Sequence, residues 1–252
     1  MECDLSLNDN FIGYNNDLSD LNSPNYLLFK SGGLATEAYN EIHRVTELLG
    51  LGLHEAINFT ACDILYKLYD SGSLGEGENL IAVCAASVSW ACREFKLSRT
   101  LNEISTVTGV EPKVINKGFL TINKVIGSDE GFLADEYEII KIGELVPRFC
   151  SKLEISFRES KAIRDAVEAA EKFDIWRNRI SVLGGVIFMV SQISQTKKKA
   201  IRETGTVVDV TENTIKNSVR DMYPYVLEII PKWYACEEEI IKNIGAIISS
   251  WD

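Results

Sequence analysis

The stretch that decides the fold is Arg99-Thr-Leu-Asn-Glu-Ile-Ser-Thr-Val-Thr-Gly-Val-Glu-Pro, residues 99–112. Thr100 and Glu103 have the spacing of a capping box, so a short helix is predicted to begin here. Gly109 is suited to end that helix, because glycine adopts a left-handed backbone without a steric penalty. Pro112 is suited to begin the next helix, where a backbone N–H is not needed. The stretch therefore predicts two helices joined by a tight turn.

The same pattern returns about 100 residues later as Lys199-Ala-Ile-Arg-Glu-Thr-Gly-Thr-Val-Val-Asp-Val. Asp209 replaces Gly109, and aspartate is one of the few other residues that tolerate a left-handed backbone. Thr211 follows as a candidate helix cap, because a threonine side chain can accept a hydrogen bond from the first turn of a helix. Small residues, Ala85-Ala-Ser and Gly184-Gly, occupy equivalent places in the apolar segment that precedes each copy. Repetition of helix order, turn chemistry and small residues predicts two copies of one domain.

Helical periodicity extends outward from these segments. It starts near Leu34, continues from about His54 to Tyr69, and becomes apolar nearly all round from Leu80 to Cys92, as in a helix surrounded by others. Apolar residues at helical spacing between Tyr234 and Trp251 predict a last helix that packs on the second repeat. We therefore expect an all-α fold of two tandem helical repeats plus a C-terminal helical extension.

Changes in composition give the expected domain boundaries. They are a flexible arm or linker over 1–33, the first repeat over 34–127, an acidic connector over 128–143, the second repeat over 144–230 and the helical extension over 231–252.

Charge and composition exclude several classes of function. The formal net charge of −11 argues against a stand-alone nucleic-acid binder. The six cysteines form no Cys-x-x-Cys pair, so we expect them to act as small apolar residues and not as metal ligands.

The apolar run Ile180 to Ile193 is shorter than the ~20 residues of a membrane span, so no membrane association is expected. His43 and His54 have no nucleophile motif or phosphate loop beside them, so no enzyme and no cofactor are expected.

Several short motifs occur in order along the two repeats: Ala91-Cys-Arg, the segment from Arg99, Val146-Pro-Arg-Phe-Cys-Ser-Lys-Leu, Met189-Val-Ser-Gln and Ser218-Val-Arg-Asp-Met-Tyr-Pro. Over roughly residues 34–230 the chain resembles the tandem cyclin-like repeats of eukaryotic transcription factor IIB, as a divergent member. The resemblance implies two five-helix cyclin-like domains. The fourth and fifth helices of each would form a helix-turn-helix, at roughly 99–126 and 199–226. Such a unit can present its last helix to a DNA major groove.

The resemblance also implies partners. The family binds the TATA-box-binding protein on promoter DNA and bridges it to RNA polymerase II in the nucleus. The candidate contacts to the TATA-box-binding protein are Arg93, Lys113 and Lys117. The candidate DNA contacts are Arg177, Lys197, Lys198, Lys199, Asn213, Lys216 and Arg220. Asn213 and Lys216 replace the family's valine and arginine, so we expect DNA affinity set by phosphates more than by base sequence.

One family feature is missing, and two other functions stay open. The family begins with a zinc ribbon of cysteine pairs, whereas residues 1–33 contain only Cys3 and cannot supply four ligands. The chain is thus a fragment or an unusual paralogue, and a fragment is favoured. The alternatives are an RNA polymerase III subunit related to transcription factor IIB, which usually has a long C-terminal extension, and a cyclin that regulates a kinase, which needs only one repeat.

Overall fold

Helices make up the regular structure, and no strand occurs in the ranges described. The structure is a computed structural model that describes residues 34–74, 79–129, 142–173, 175, 178–195 and 198–251. The helices of the first repeat are α1 (Leu34–Leu48), α2 (Glu55–Asp70), α3 (Leu80–Glu94), α4 (Leu101–Thr108) and α5 (Pro112–Asp129). Those of the second repeat are α6 (Ile142–Lys152), α7 (Phe157–Ala170), α8 (Arg179–Ile193), α9 (Ile201–Val208) and α10 (Glu212–Met222). A 3-10 turn (Tyr223–Tyr225), α11 (Val226–Ile229) and α12 (Glu237–Ser249) follow.

Each repeat is built around its third helix. Every residue of α3 from Ala82 to Cys92 is buried, and so is every residue of α8 from Ser181 to Ser191. Because these helices have no polar face, they are stable only when other helices surround them. Helices α1, α2 and α5 pack on α3, and α7, α10 and α12 pack on α8. The two repeats have separate apolar cores, so the expected fold of two five-helix cyclin-like domains is confirmed.

Small residues let the fifth helix of each repeat approach the third. A Cβ added at Gly118 in α5 would lie 3.0 Å from the Cβ of Ala86 in α3. A Cβ added at Gly185 in α8 would lie 3.2 Å from the Cβ of Ser218 in α10. Since both distances are tighter than ordinary van der Waals contact, a larger residue at either point would push the last helix of the repeat away from the core.

The C-terminal extension packs on the second repeat, as predicted. Ile240 and Ile244 of α12 are buried, and α12 contacts α8 and α11. Helices α5 and α6 each extend two residues into the expected connector, whose remaining residues 130–141, like the arm 1–33, lie outside the described residues. No helix in the described ranges combines the length and the apolar composition that a membrane span requires.

Candidate macromolecular interface

The first helix-turn-helix is formed by α4 and α5 with the predicted chemistry. The Thr100 hydroxyl accepts a hydrogen bond from the Glu103 N–H at 3.2 Å, and the Glu103 carboxylate accepts one from the Thr100 N–H at 2.9 Å. Gly109 ends α4 at φ 70°, and α5 begins at Pro112. The capping box, the left-handed turn and the helix start are therefore confirmed. They orient α5 so that Ile115 and Ile122 face the core.

The first-repeat cations lie on or against α5. Lys113 and Lys117 are exposed and one helical turn apart, on the side away from the core. Arg93, near the end of α3, is half-buried, and its guanidinium lies over the ring of Phe119 in α5, 4.5 Å from the centroid. This stacking fixes the plane of the guanidinium, which is a condition for bidentate recognition of a carboxylate.

The second helix-turn-helix repeats the arrangement with different residues. Asp209 ends α9 with a left-handed backbone at φ 59°, as predicted. The Thr211 hydroxyl caps α10 by accepting a hydrogen bond from the Thr214 N–H at 3.2 Å. Ile215 and Val219 are fully buried, whereas Asn213 is exposed on the opposite side. The geometry leaves the start of α10 open to solvent.

Six of the seven candidate DNA contacts fall into three groups in the structure. Arg177 and Lys197 lie outside the described residues. Asn213 and Lys198 are exposed. Lys216 and Arg220 are half-buried on one flank of α10, beside the ring of Trp251.

Lys199 departs from the expectation of a solvent-facing lysine. Its side chain is only 3% exposed and pairs with Glu203, with 3.5 Å between Nζ and Oε1. It lines a cavity of about 240 Å³ together with Glu154 and Ser156 at the start of α7. A lysine held there cannot reach a phosphate without unpacking, so Lys199 is withdrawn from the candidate DNA contacts.

The equivalent residue of the first repeat explains why Lys199 faces inward. Arg99 donates hydrogen bonds to the Leu97 carbonyl at 2.7 Å and to the Leu49 carbonyl at 3.2 Å. In both repeats, a basic residue just before the fourth helix is partly or fully buried against its own repeat. Alignment of the two copies pairs Arg99 with Lys199. The structural role of Lys199 is hard to read from the sequence, because Lys199 belongs to a run of three lysines that resembles a solvent-exposed patch.

The two repeats are joined by a pair of charges that sequence reasoning missed. Arg148 in α6 binds both carboxylate oxygens of Glu103 in α4, with 2.9 Å between Nη2 and Oε2, and also donates to the Ser98 carbonyl at 3.3 Å. Ser98 in turn donates to Glu144 of α6 at 2.6 Å. Burial alone would raise the pKa of Glu103, but the hydrogen bonds from Arg148 and Thr100 outweigh it and lower the pKa. Arg148 lies within the quoted Val146 motif, yet nothing local to it identifies a partner in the other repeat.

A groove of about 710 Å³ lies between the repeats next to this pair. Thr100 and Asn102 line one side, and Arg202, Asp209 and Thr211 line the other. The Asn102 amide donates to the Asp209 carboxylate at 2.8 Å, which adds a second polar side-chain contact between the repeats. The second helix-turn-helix is thereby held against the first repeat.

The cysteines in the described ranges are free thiols, and most lie in apolar surroundings. Burial raises the pKa of Cys84 and Cys92 to about 12 and that of Cys62 and Cys150 to about 11. Thiols with such values are protonated at neutral pH and are poor metal ligands and nucleophiles.

The fold and the site define a protein of tandem cyclin-like repeats in which each repeat ends in a helix-turn-helix. Comparison with known proteins agrees: residues 33–125 match the family described as transcription factor TFIIB repeat. The chain belongs to the transcription factor IIB family, of which it is a divergent member.

Three relatives show how far the similarity extends. Plant-specific TFIIB-related protein 2 of Arabidopsis thaliana is 55% identical over 223 residues, which cover 87% of this chain and 66% of that protein. Transcription initiation factor IIB-2 of the same plant is 37% identical over 195 residues, 77% of this chain and 61% of that protein. Transcription initiation factor IIB of Xenopus laevis is 29% identical over 171 residues, 67% of this chain and 51% of that protein. The chain thus spans between about half and two thirds of the length of these relatives.

Proposed function

We propose that this chain is the core of a transcription initiation factor that binds the TATA-box-binding protein on promoter DNA and links it to RNA polymerase II in the nucleus. The observation that carries the proposal is membership of a family whose relatives are named transcription initiation factors, together with a helix-turn-helix at the end of each repeat. Two such units in tandem can contact one extended partner at two places, which a single repeat cannot do.

The proposed surface for the TATA-box-binding protein is the outer side of α5 with Arg93. Arg93, Lys113 and Lys117 supply three cations on or against one helix of an otherwise acidic chain. A cluster of this kind suits the acidic stirrup that the family recognises on the TATA-box-binding protein. A bidentate contact from Arg93 to a carboxylate would fix the orientation of the partner on this surface.

The proposed DNA surface is the exposed side of α10 with Lys198. Asn213 is the residue suited to a base edge, and asparagine pairs best with adenine. Lys198, Lys216 and Arg220 supply charge for phosphates, which do not report base sequence. Contacts of this kind give an affinity that depends on salt more than on promoter sequence.

A gel-shift titration on a duplex that contains a TATA box tests the proposal. The chain alone should bind weakly, because its net charge of −11 opposes approach to phosphate. Addition of the TATA-box-binding protein should tighten binding sharply. Tight binding of the lone chain at physiological salt, or no supershift with the TATA-box-binding protein, would contradict the proposal.

A second titration separates phosphate contact from base recognition. Asn213→Ala should change the affinity of the ternary complex little, except at one adenine position upstream of the TATA box. Loss of selectivity between upstream sequences, with an unchanged salt dependence, would instead make α10 a sequence-reading helix.

A further inference from the structure

The C-terminal extension brings an aromatic ring against the basic flank of α10. The Trp251 ring centroid lies 5.6 Å from the Lys216 Nζ and 5.8 Å from the Arg220 Cζ. The Arg220 guanidinium also donates a hydrogen bond from Nη2 to the Trp251 carbonyl at 3.2 Å. One residue at the end of the described chain therefore contacts both cations of the proposed DNA-binding helix.

The ring is held in place by the core of the second repeat. Trp251 stacks on Phe188 of α8, with 5.9 Å between ring centroids, and Phe188 is itself buried. Ile240 and Ile244 attach α12 to the same repeat. A Cβ added at Gly245 would lie 2.9 Å from the hydroxyl of Tyr223, so α12 approaches the end of α10 closely. The position of Trp251 is thus set by packing of the whole extension.

Such a ring offsets the repulsion between the two cations of α10. Lys216 and Arg220 are four residues apart, and like charges at that spacing repel each other on a helix. The face of an indole ring carries partial negative charge and attracts cations. A ring beside both side chains therefore allows two positive charges to stay together on one flank.

The ring leaves the start of the helix open. Ile215 and Val219 face the core, helical spacing puts Asn213 and Arg220 on the opposite side, and Lys216 lies between the two directions. Trp251 lies beside Lys216 and Arg220 in the later part of α10, while Asn213 near its start stays exposed. A duplex can approach Asn213 while the two cations remain stacked, because a cation can contact an aromatic face and a phosphate at the same time.

We propose that Trp251 is a positioning residue for DNA binding, which holds Lys216 and Arg220 together so that the C-terminal extension is part of the DNA-contacting surface. This inference rests on the proposed contact between α10 and promoter DNA. It assigns the extension a role in binding in addition to its role in packing.

Two substitutions at Trp251 separate the ring's electrostatic effect from its packing. Trp251→Leu keeps an apolar side chain against Phe188 but removes the aromatic face, whereas Trp251→Phe keeps a smaller aromatic face. We expect Trp251→Leu to weaken the ternary complex with the TATA-box-binding protein and DNA roughly threefold to tenfold, and Trp251→Phe to weaken it less. The Tm of each variant, measured by circular dichroism, selects conditions in which both are folded.

Trp233→Leu is the matched control. Trp233 belongs to the same extension, is 46% exposed and lies 5.4 Å from the Nζ of a lysine, but that lysine is Lys161 on α7. Its replacement should leave the affinity of the ternary complex unchanged. Equal losses of affinity on replacing either tryptophan would overturn the proposal, because the effect would then come from the extension in general.

A double-mutant cycle distinguishes failure of this inference from failure of the proposed function. The pair Lys216→Ala and Arg220→Ala should weaken the wild-type complex and should weaken it less in the Trp251→Leu background. If that pair weakens binding but Trp251→Leu does not, the positioning role is wrong and the DNA contact stands. If the pair has no effect, the proposed DNA contact of α10 fails and the inference fails with it. Tighter DNA binding by Trp251→Leu would also overturn the inference, since the ring would then block the two cations from DNA.

Discussion

At the scale of single residues, neighbouring lysines have different roles. Lys198 is exposed, whereas Lys199 is buried and paired with Glu203. A run of basic residues in a sequence suggests one electrostatic patch, but adjacent side chains in an extended segment point to opposite sides. Of the two, only Lys198 is exposed enough to serve as the proposed phosphate contact.

The first prediction compares these two lysines. Lys198→Ala should reduce the salt slope of ternary-complex formation by about 0.9, the contribution of one phosphate contact. Lys199→Ala should leave the slope unchanged and lower the Tm, because it removes a buried side chain and leaves Glu203 without this partner. Affinity measured at several salt concentrations and thermal melts check both. A reversed pattern would show that Lys199, and not Lys198, reaches the DNA.

The second prediction concerns Arg93. Arg93→Glu should weaken the ternary complex more than Lys216→Ala does, because a reversed charge would face the acidic stirrup of the TATA-box-binding protein. Loss of a lysine at the groove edge should cost only about 1 kcal/mol. Lys67→Glu on α2 is the control, since it changes the net charge equally in the same repeat. Equal losses for Arg93→Glu and Lys67→Glu in a gel-shift titration would place the protein interface elsewhere.

At the scale of elements, each helix-turn-helix depends on one left-handed residue. Gly109 and Asp209 occupy this position in the two repeats, at φ 70° and φ 59°. No atom lies within 4 Å of a Cβ added at Gly109, so only the backbone conformation opposes a side chain there. The turn sets the angle between the two helices and hence the direction in which α5 or α10 faces.

The third prediction follows from that turn. Gly109→Ala should lower the free energy of unfolding by about 1–2 kcal/mol, the cost of a left-handed backbone for an ordinary residue. Gly143→Ala in the first turn of α6 also has open space at its Cβ and should be neutral or stabilising by up to about 1 kcal/mol. Urea denaturation measures both changes. Similar effects for the two alanines would mean that the turn is not held in the left-handed conformation.

At the scale of the whole molecule, the contact between Arg148 and Glu103 couples the repeats. The carboxylate also belongs to the capping box of α4, so the same group caps the start of one helix and holds the other repeat. Both side chains are about one-fifth exposed, at 21% and 23%. A bidentate contact at that burial is weakly screened, and loss of one partner leaves the other poorly solvated.

The fourth prediction is a pH dependence of this coupling. Arg148→Ala should lower the free energy of unfolding by about 2 kcal/mol at neutral pH. Folding lowers the pKa of Glu103 below its ordinary value of 4.5, so the contribution is complete above that value and is lost as the pH falls through the lower pKa of the folded state. The difference between wild type and Arg148→Ala should therefore shrink in denaturation curves taken at acidic pH. Lys152→Ala, whose Nζ lies 3.7 Å from the same carboxylate and whose side chain is half-exposed, should have a much smaller effect.

The sequence by itself determined the all-α fold, the repeat and the chemistry of both turns. Those signals act between residues three or four apart, as in the bond between Thr100 and Glu103, so they are present in the chain before it folds. Small residues such as Gly185 and the apolar surface of α8 also predicted which helix would lie at the centre. Membership of the family follows from the same features, because they recur in order along both repeats.

Only the tertiary structure decided which distant side chains contact each other. Arg148 meets Glu103 across 45 residues, and Arg220 meets Trp251 across 31, and no local pattern encodes either pair. By sequence Lys199 is a candidate DNA contact like its neighbour Lys198, whereas the packing of its own repeat turns it inward. A contact between distant residues depends on how whole helices pack, and that arrangement is the sum of many apolar contacts, each of them small.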